Sequence, residues 1–213
     1  MLYNLHTHNF TETSSVIELV NKYPYEVINV PYFSTGIHPW YIDEDKVEEH
    51  LIIIEQRLKM NNCLALGECG LDKRVETSME VQMTIFEKQL LLAKKNNKPV
   101  VLHLNGAFQE LIAIKNKLNL GVPMIIHGFS KDEQLAKQLL NNGFHLSFGK
   151  YLLSNPELSK VLAIVPQERF FLETDTIEES INDVYKKAAL ARNTTMNNLL
   201  RVVEGNFKNV FDY

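Results

Sequence analysis

The sequence predicts an α/β protein, a TIM-like (β/α) barrel that is distorted or truncated near its second and third strands. Short runs of β-forming residues alternate with longer segments of helical period, the order that a parallel sheet with helical crossovers requires. Eight such runs occur along the chain, which is enough to close a barrel. One interval is irregular, because only Pro31 and Tyr32 separate the run ending at Val30 from the run beginning at Phe33. Two residues cannot carry a crossover helix between parallel strands.

In chain order the expected strands are residues 2–6, 26–30, 33–38, 63–67, 100–103, 124–127, 144–148 and 170–173. Between residues 43 and 60, Val47, Leu51, Ile54 and Leu58 recur at helical spacing and predict one stripe buried against the sheet. Thr77 with Glu80 reads as a capping box that opens a helix with the apolar face Met79, Met83, Phe86, Leu90 and Ala93, and Pro99 closes the loop that follows. Ser130 with Glu133 repeats the capping pattern, Leu135 and Leu139 share a face, and Gly143 supplies a left-handed stop. A last helix is expected over residues 194–204, ending at Gly205.

The 213 residues suit a single domain over 1–213, since barrels of this class run to roughly 200 to 250 residues. Hydrophobic residues make up 45% and charged residues 23%, the balance of a globular chain rather than a disordered one. No apolar run approaches the roughly 20 residues that span a bilayer, so no membrane association is expected. The start, MLYNLHTHNF, lacks the cationic and apolar segments of a secretory signal, so the expectation is a cytoplasmic protein with no obligate protein partner. Cys63 and Cys69 are too few for a disulfide framework and read as buried thiols. A net charge of −4 argues against broad electrostatic capture of nucleic acid, which depends on Lys and Arg, though not against a nuclease whose metals bind the phosphate.

Five of the seven histidines fall at the carboxyl ends of expected strands, the face that carries the active site in such barrels. His6 and His8 are two apart in an extended segment, so their side chains point to one side and can share an ion. Glu68 follows the apolar run CLALG between flanking glycines, and a carboxylate ending a buried strand needs a cationic or metal partner. His103 ends PVVLH and His127 ends PMIIH. One such histidine would more often be a packed core residue, whereas two at the same strand end favour ligation. Asp175 follows FFLET as a sixth group. Together these residues point to one or two divalent metal ions, with zinc, manganese or iron suiting the imidazoles better than magnesium. Such ions activate water, so the expected chemistry is hydrolysis. His38 in GIHPW is assigned to the substrate side, His50 to the helix surface, and His145 to packing or support. Lys73 and Arg74 are read as solvated surface.

Taken together, NLHTH, GIHPW, ALGECGLD, the Gln82/Phe86/Gln89 helix, KPVVLH, MIIHGFS, GFHLSFG, ERFFLETD and NFKNVF resemble the TatD family of metal-dependent deoxyribonucleases, a branch of the amidohydrolase-like barrels. The resemblance implies that His6, His8, Glu68 and Asp175 surround one metal, with Glu68 bridging to a second held by His103 and His127. It also implies that Asp175 orients or deprotonates the attacking water, that Glu173 steers a ligand, and that the substrate is DNA cut from its 3′ end. The chain departs from the family pattern in four places. Asn4 stands where an aspartate is usual, and Asn105 where an arginine is usual. The interval from His8 to Gly36 is shorter, and ETDTIEES replaces an aromatic pattern. Two alternatives therefore stand beside the nuclease: a hydrolase of a small phosphoester, ester or amide on the same barrel, and a metal-binding protein that has lost catalysis.

Overall fold

The structure, a computed structural model, describes residues 1–211. Eight parallel strands are hydrogen-bonded in chain order: β1 (Leu2–Thr7), β2 (Val16–Asn21), β3 (Phe33–Thr35), β4 (Cys63–Asp72), β5 (Val100–Asn105), β6 (Met124–Ile126), β7 (His145–Phe148) and β8 (Phe170–Leu172). Asp175, just past β8, bridges to Thr7 of β1, so the fold is the expected (β/α) barrel. The helices are α1 (Val47–Leu58), α2 (Met79–Asn96), α3 (Phe108–Leu118), α4 (Glu133–Asn141), α5 (Lys150–Ser154), α6 (Pro156–Ile164), α7 (Ile181–Ala191) and α8 (Met196–Phe211). No helix among the described residues is long and apolar enough to cross a membrane.

The expected truncation is present, but the second strand lies elsewhere. It is formed by VIELVN at Val16–Asn21, and residues 26–30 are not a strand. The turn that leads into them is held by side chains. Arg57 on α1 donates to the carbonyls of Tyr23 at 2.9 Å and Glu26 at 2.7 Å, and the Glu26 carboxylate accepts from the Tyr23 N–H at 2.6 Å. Val27 is accordingly 81% exposed. Neither residues 8–15 nor residues 22–32 contain a helix, so two crossovers are replaced by loops.

Smaller corrections have equally local causes. The cap of α2 is Ser78, whose Oγ accepts from Val81 N at 3.3 Å, rather than Thr77, and the cap of α4 is Asp132, which accepts from Leu135 N at 2.9 Å, rather than Ser130. The last helix does not stop at Gly205 but runs to Phe211, because Leu199, Val203, Phe207 and Phe211 form one buried stripe. Packing of that stripe outweighs the roughly 1 kcal/mol that a glycine costs inside a helix. His50 lies on α1 but is buried rather than on its surface, with its ring 6.0 Å from that of Tyr25.

The chain forms two compact units whose boundaries fall within β2 and β6. In the first, from Met1–Val20 and the chain from Ile125 onward, β1 pairs with β2, β6 with β7 and β7 with β8. The buried Tyr185 hydroxyl on α7 donates to Tyr3 O at 3.0 Å and accepts from Tyr3 N at 3.1 Å, fastening that helix to β1. Asn206 on α8 donates to Gln167 O at 2.7 Å and Phe170 O at 2.9 Å, fixing the entry to β8.

In the second unit, Asn21–Met124, β4 lies between β3 and β5, and all ten of its residues are buried. That burial accounts for its unbroken apolar start, as in strands covered on both faces. Helix α2 holds two loops through buried glutamines seven residues apart. Gln82 accepts from Asp72 N at 2.9 Å and donates to Asp72 O at 3.0 Å and Thr77 O at 2.7 Å. Gln89 accepts from Ile37 N at 2.7 Å and donates to Ile37 O at 3.2 Å. One helix thus sets the backbone on which His38 and Asp72 stand.

Two outcomes follow from this packing. Gln82→Leu strands three backbone groups, and each buried group left unpaired costs about 1–3 kcal/mol, so urea unfolding should show a loss of about 2 kcal/mol or more. An unchanged midpoint would contradict the clamp. Burial pushes the Cys63 thiol up to about 12, and burial together with the Glu68 charge raises that of Cys69. A thiol-specific reagent at pH 8 should therefore label neither cysteine in the folded protein and both after denaturation. Rapid labelling of the folded form would refute this.

Candidate metal clusters

The first unit gathers His6, His8, His127 and Asp175. Its frame is a backbone interlock: Asp175 N donates to His6 O at 2.9 Å, and His8 N donates to Asp175 O at 3.1 Å. Asp175 reaches this position in the left-handed region at φ 55°, which aspartate tolerates better than most residues. Its Oδ1 lies 3.7 Å from His6 Nε2 and 3.6 Å from His8 Nε2. The His127 ring is 4.4 Å from that of His6, and one donor atom each from His6, His127 and Asp175 lie within 4.8 Å of one another. Glu173 accepts from Gly128 N at 2.7 Å and faces His127 Nδ1 at 3.2 Å. A carboxylate on Nδ1 holds the proton there and leaves the Nε2 lone pair for a ligand role.

Asn4 is buried nearby and serves the backbone. It accepts from Thr174 N at 3.0 Å and donates to Thr174 Oγ1 at 2.9 Å, pinning β1 to the segment that carries Asp175. The residue that departs from the family pattern is therefore a structural tie without charge.

The second unit gathers His38, Glu68, Asp72 and His103. Glu68 is 3% exposed, its backbone N–H donates to Asn21 Oδ1 at 2.6 Å, and its Oε1 lies 3.1 Å from both His38 Nε2 and His103 Nδ1. One donor atom each from His38, Glu68 and His103 fall within 4.8 Å of one another. Of the three, His38 is the poorest ligand. Its Nδ1 accepts from Trp40 N at 3.1 Å, which places its proton on Nε2, aimed at Glu68. A hydrogen-bond donor cannot at the same time give that nitrogen's lone pair to a cation. His38 therefore holds the Glu68 carboxylate, a role the sequence did not suggest.

Strand β4 was expected to stop at Gly67 but continues to Asp72. Asp72 accepts from Trp40 Nε1 at 2.8 Å, Asn105 Nδ2 at 3.0 Å, Arg74 N at 2.8 Å and the Arg74 guanidinium at 3.2 and 3.3 Å, and it lies 2.9 Å from His103 Nε2. Burial pushes its carboxyl up, but the hydrogen bonds from Arg74, His103 and Trp40 outweigh that and hold it well below the usual carboxylate range. Sequence reasoning passed over Asp72 and set Arg74 aside as surface. The available signal was a carboxylate five residues into a continuing buried strand. Lys73, by contrast, pairs with Glu110 at 2.6 Å. Gly70 lets β4 approach β5 here, because a Cβ at its φ of 147° would overlap the His103 carbonyl oxygen.

Imidazole nitrogens and carboxylate oxygens brought to ligand spacing suit zinc, manganese or iron; His6, His127 and Asp175 offer three such donors in the first unit, and Glu68 and His103 offer two in the second. The chain matches the TatD related DNase family over residues 3–212 and belongs to it. An uncharacterized metal-dependent hydrolase of Haemophilus influenzae is 31% identical over 68% of this chain, and YabD of Bacillus subtilis, named likewise, is 30% identical over 75%. The chain spans only 58% and 62% of the length of these two relatives. A relative from Edwardsiella piscicida named as the 3′-5′ ssDNA/RNA exonuclease TatD is 28% identical over 87% of this chain and 71% of its own. Among solved structures, the Escherichia coli TatD homolog YjjV superposes with a TM-score of 0.84 at 20% identity, covering 100% of this chain and 98% of its own, which shows the shared fold.

Glu173 gives a pH test. Burial raises its carboxyl, but the charge and hydrogen bond of His127, then the charge of His6 and the Ser147 hydroxyl, bring it below its ordinary value. A carboxyl lowered on folding contributes stability above its unfolded pKa, about 4.3 for glutamate, and that contribution is lost as the pH falls through the folded value. Metal-free protein should therefore lose more stability between pH 5 and pH 3 than its Glu173→Gln variant, measured by urea unfolding. Parallel curves would contradict the shift.

Proposed function

We propose that the chain is a divalent-metal-dependent hydrolase of phosphodiester bonds, acting on DNA from its 3′ end. The observation that carries this is the pairing of two of the candidate ligand histidines, His103 and His127, with a buried carboxylate behind each, an arrangement that makes imidazole a stronger ligand. Family membership and the activity in the name of the Edwardsiella relative support a nucleic-acid substrate. His6, His8, His127 and Asp175 are the proposed ligands in one unit, and Glu68 and His103 in the other. When bound, divalent ions supply an activated water and offset charge on the attacked phosphoryl oxygen.

The chain's own residues divide the remaining work. Asp175 has a side chain 29% exposed on a backbone pinned at both its N–H and its C=O, so its carboxylate meets solvent in a fixed position and is the proposed proton acceptor. Glu68 is too enclosed for that role and acts as a ligand held by His38. Glu173 and Gly128 fix the ring of His127.

One observation favours a small phosphoester as the alternative substrate. Asn105 is neutral and its amide is directed to Asp72 rather than presented to an anion. Metal-stripped protein reloaded with manganese, zinc or magnesium should degrade a 5′-labelled single-stranded DNA from the 3′ end, and Asp175→Asn should cut the rate about 100-fold or more while the unfolding midpoint holds. Turnover of bis(4-nitrophenyl) phosphate with intact DNA would replace the nuclease by the small-substrate hydrolase. Full activity in Asp175→Asn would remove the proton-acceptor role.

A further inference from the structure

We propose that Asp72 is a positioning residue for the second-unit cluster. It fixes the tautomer and ring orientation of His103, so that Nδ1, the nitrogen facing Glu68, is the one that ligates. The inference rests on the reading of Glu68 and His103 as ligands, and it assigns work to a buried carboxylate that hydrolysis does not otherwise use.

A carboxylate with no exposure has lost its hydration and persists as an anion only where donors replace the water. Asp72 has such donors from three side chains, Trp40, Asn105 and Arg74, together with the Arg74 backbone N–H. Its own backbone is clamped on both the N–H and C=O sides by Gln82. The group is therefore rigid in place and ionised. The remaining contact of Oδ2 is His103 Nε2 at 2.9 Å.

An acceptor-only carboxylate on Nε2 requires a proton there. Nδ1 faces the Glu68 carboxylate at 3.1 Å, so a proton there is the one that a cation bound beside Glu68 would displace, while Nε2 keeps its own. The first unit repeats the device with the nitrogens exchanged, since Glu173 meets Nδ1 of His127 and turns Nε2 outward. Fastening the loop alone would not need this geometry, because Gln82 already holds the Asp72 backbone. What the carboxylate adds is a defined proton position on the ligand histidine. Arg74, Asn105 and Trp40 act one step further out, by holding Asp72 in line.

Two measurements decide the matter. The first is the ¹⁵N spectrum of the histidines in metal-free protein at pH 8, with His103 assigned by loss of its signals in His103→Gln. The proposal requires a proton on Nε2, whatever the state of Nδ1 without metal, and an unprotonated Nε2 would overturn it. This readout needs neither metal nor activity, so it stands even if the hydrolase reading fails.

The second is competition of zinc against a fluorescent chelator for wild type and Asp72→Asn. Loss of such a carboxylate partner typically weakens metal binding about 10–100-fold, so one class of site should weaken by that factor while the other keeps its affinity. If Asp72→Asn lowers the unfolding midpoint and leaves both affinities unchanged, Asp72 is a structural tie and the proposal is wrong. If the variant does not fold, the tautomer measurement on wild type carries the decision.

Discussion

Taking a carboxylate out of water demands a replacement for its solvent shell, and this fold buries three of them beside histidines. Glu68 is 3% exposed, Asp72 not at all and Glu173 1%. Each is answered by histidine: Glu68 by His38 and His103, Asp72 by His103, and Glu173 by His127. The requirement runs in both directions. The carboxylates need the imidazole donors to stay ionised, and the imidazoles take their tautomers from the carboxylates. A polar cluster of this kind is stable only when every member is satisfied, which explains why so much surrounding structure is devoted to aiming it.

That structure is economical. Helix α2 buries Gln82 and Gln89 on the face that otherwise carries Phe86 and Leu90, and through them sets both the GIHPW loop and the end of β4. In the other unit the interlock of Asp175 with His6 and His8, and the Asn4–Thr174 pair, fasten the segment after β8 to β1. The chain dispenses with crossover helices after β1 and β2, and Arg57 holds the second of the replacing loops by its carbonyls. Shortening the fold there leaves the ends of β1 and β4 supported by other means.

Much of this was legible in the residues. The recurrence of proline, three apolar residues and histidine marked β5 and β6 and placed His103 and His127 at their carboxyl ends, and the alternation in NLHTH marked β1. What the sequence concealed depended on partners far along the chain. VIELVN and EVINV are equally good strand formers, and the turn before the second is held by Arg57, some thirty residues away. Asp72 was hidden because two glycines made Gly67 read as the end of a strand that continues to Asp72. The role of His38 as a donor to Glu68 depends on the backbone N–H of Trp40, which no side-chain pattern reveals. Gly205 failed as a stop because a buried stripe on both sides of it outweighs one glycine.

The proposed function requires a divalent ion on the donors that each unit brings together. Crystals of the zinc-loaded protein measured at the zinc absorption edge test it directly. Two anomalous peaks are expected, one within about 2.2 Å of His6, His127 and Asp175 donor atoms and one equally close to Glu68 and to His103 at Nδ1. Peaks at neither cluster, or coordination of the second ion through His103 Nε2, would contradict it.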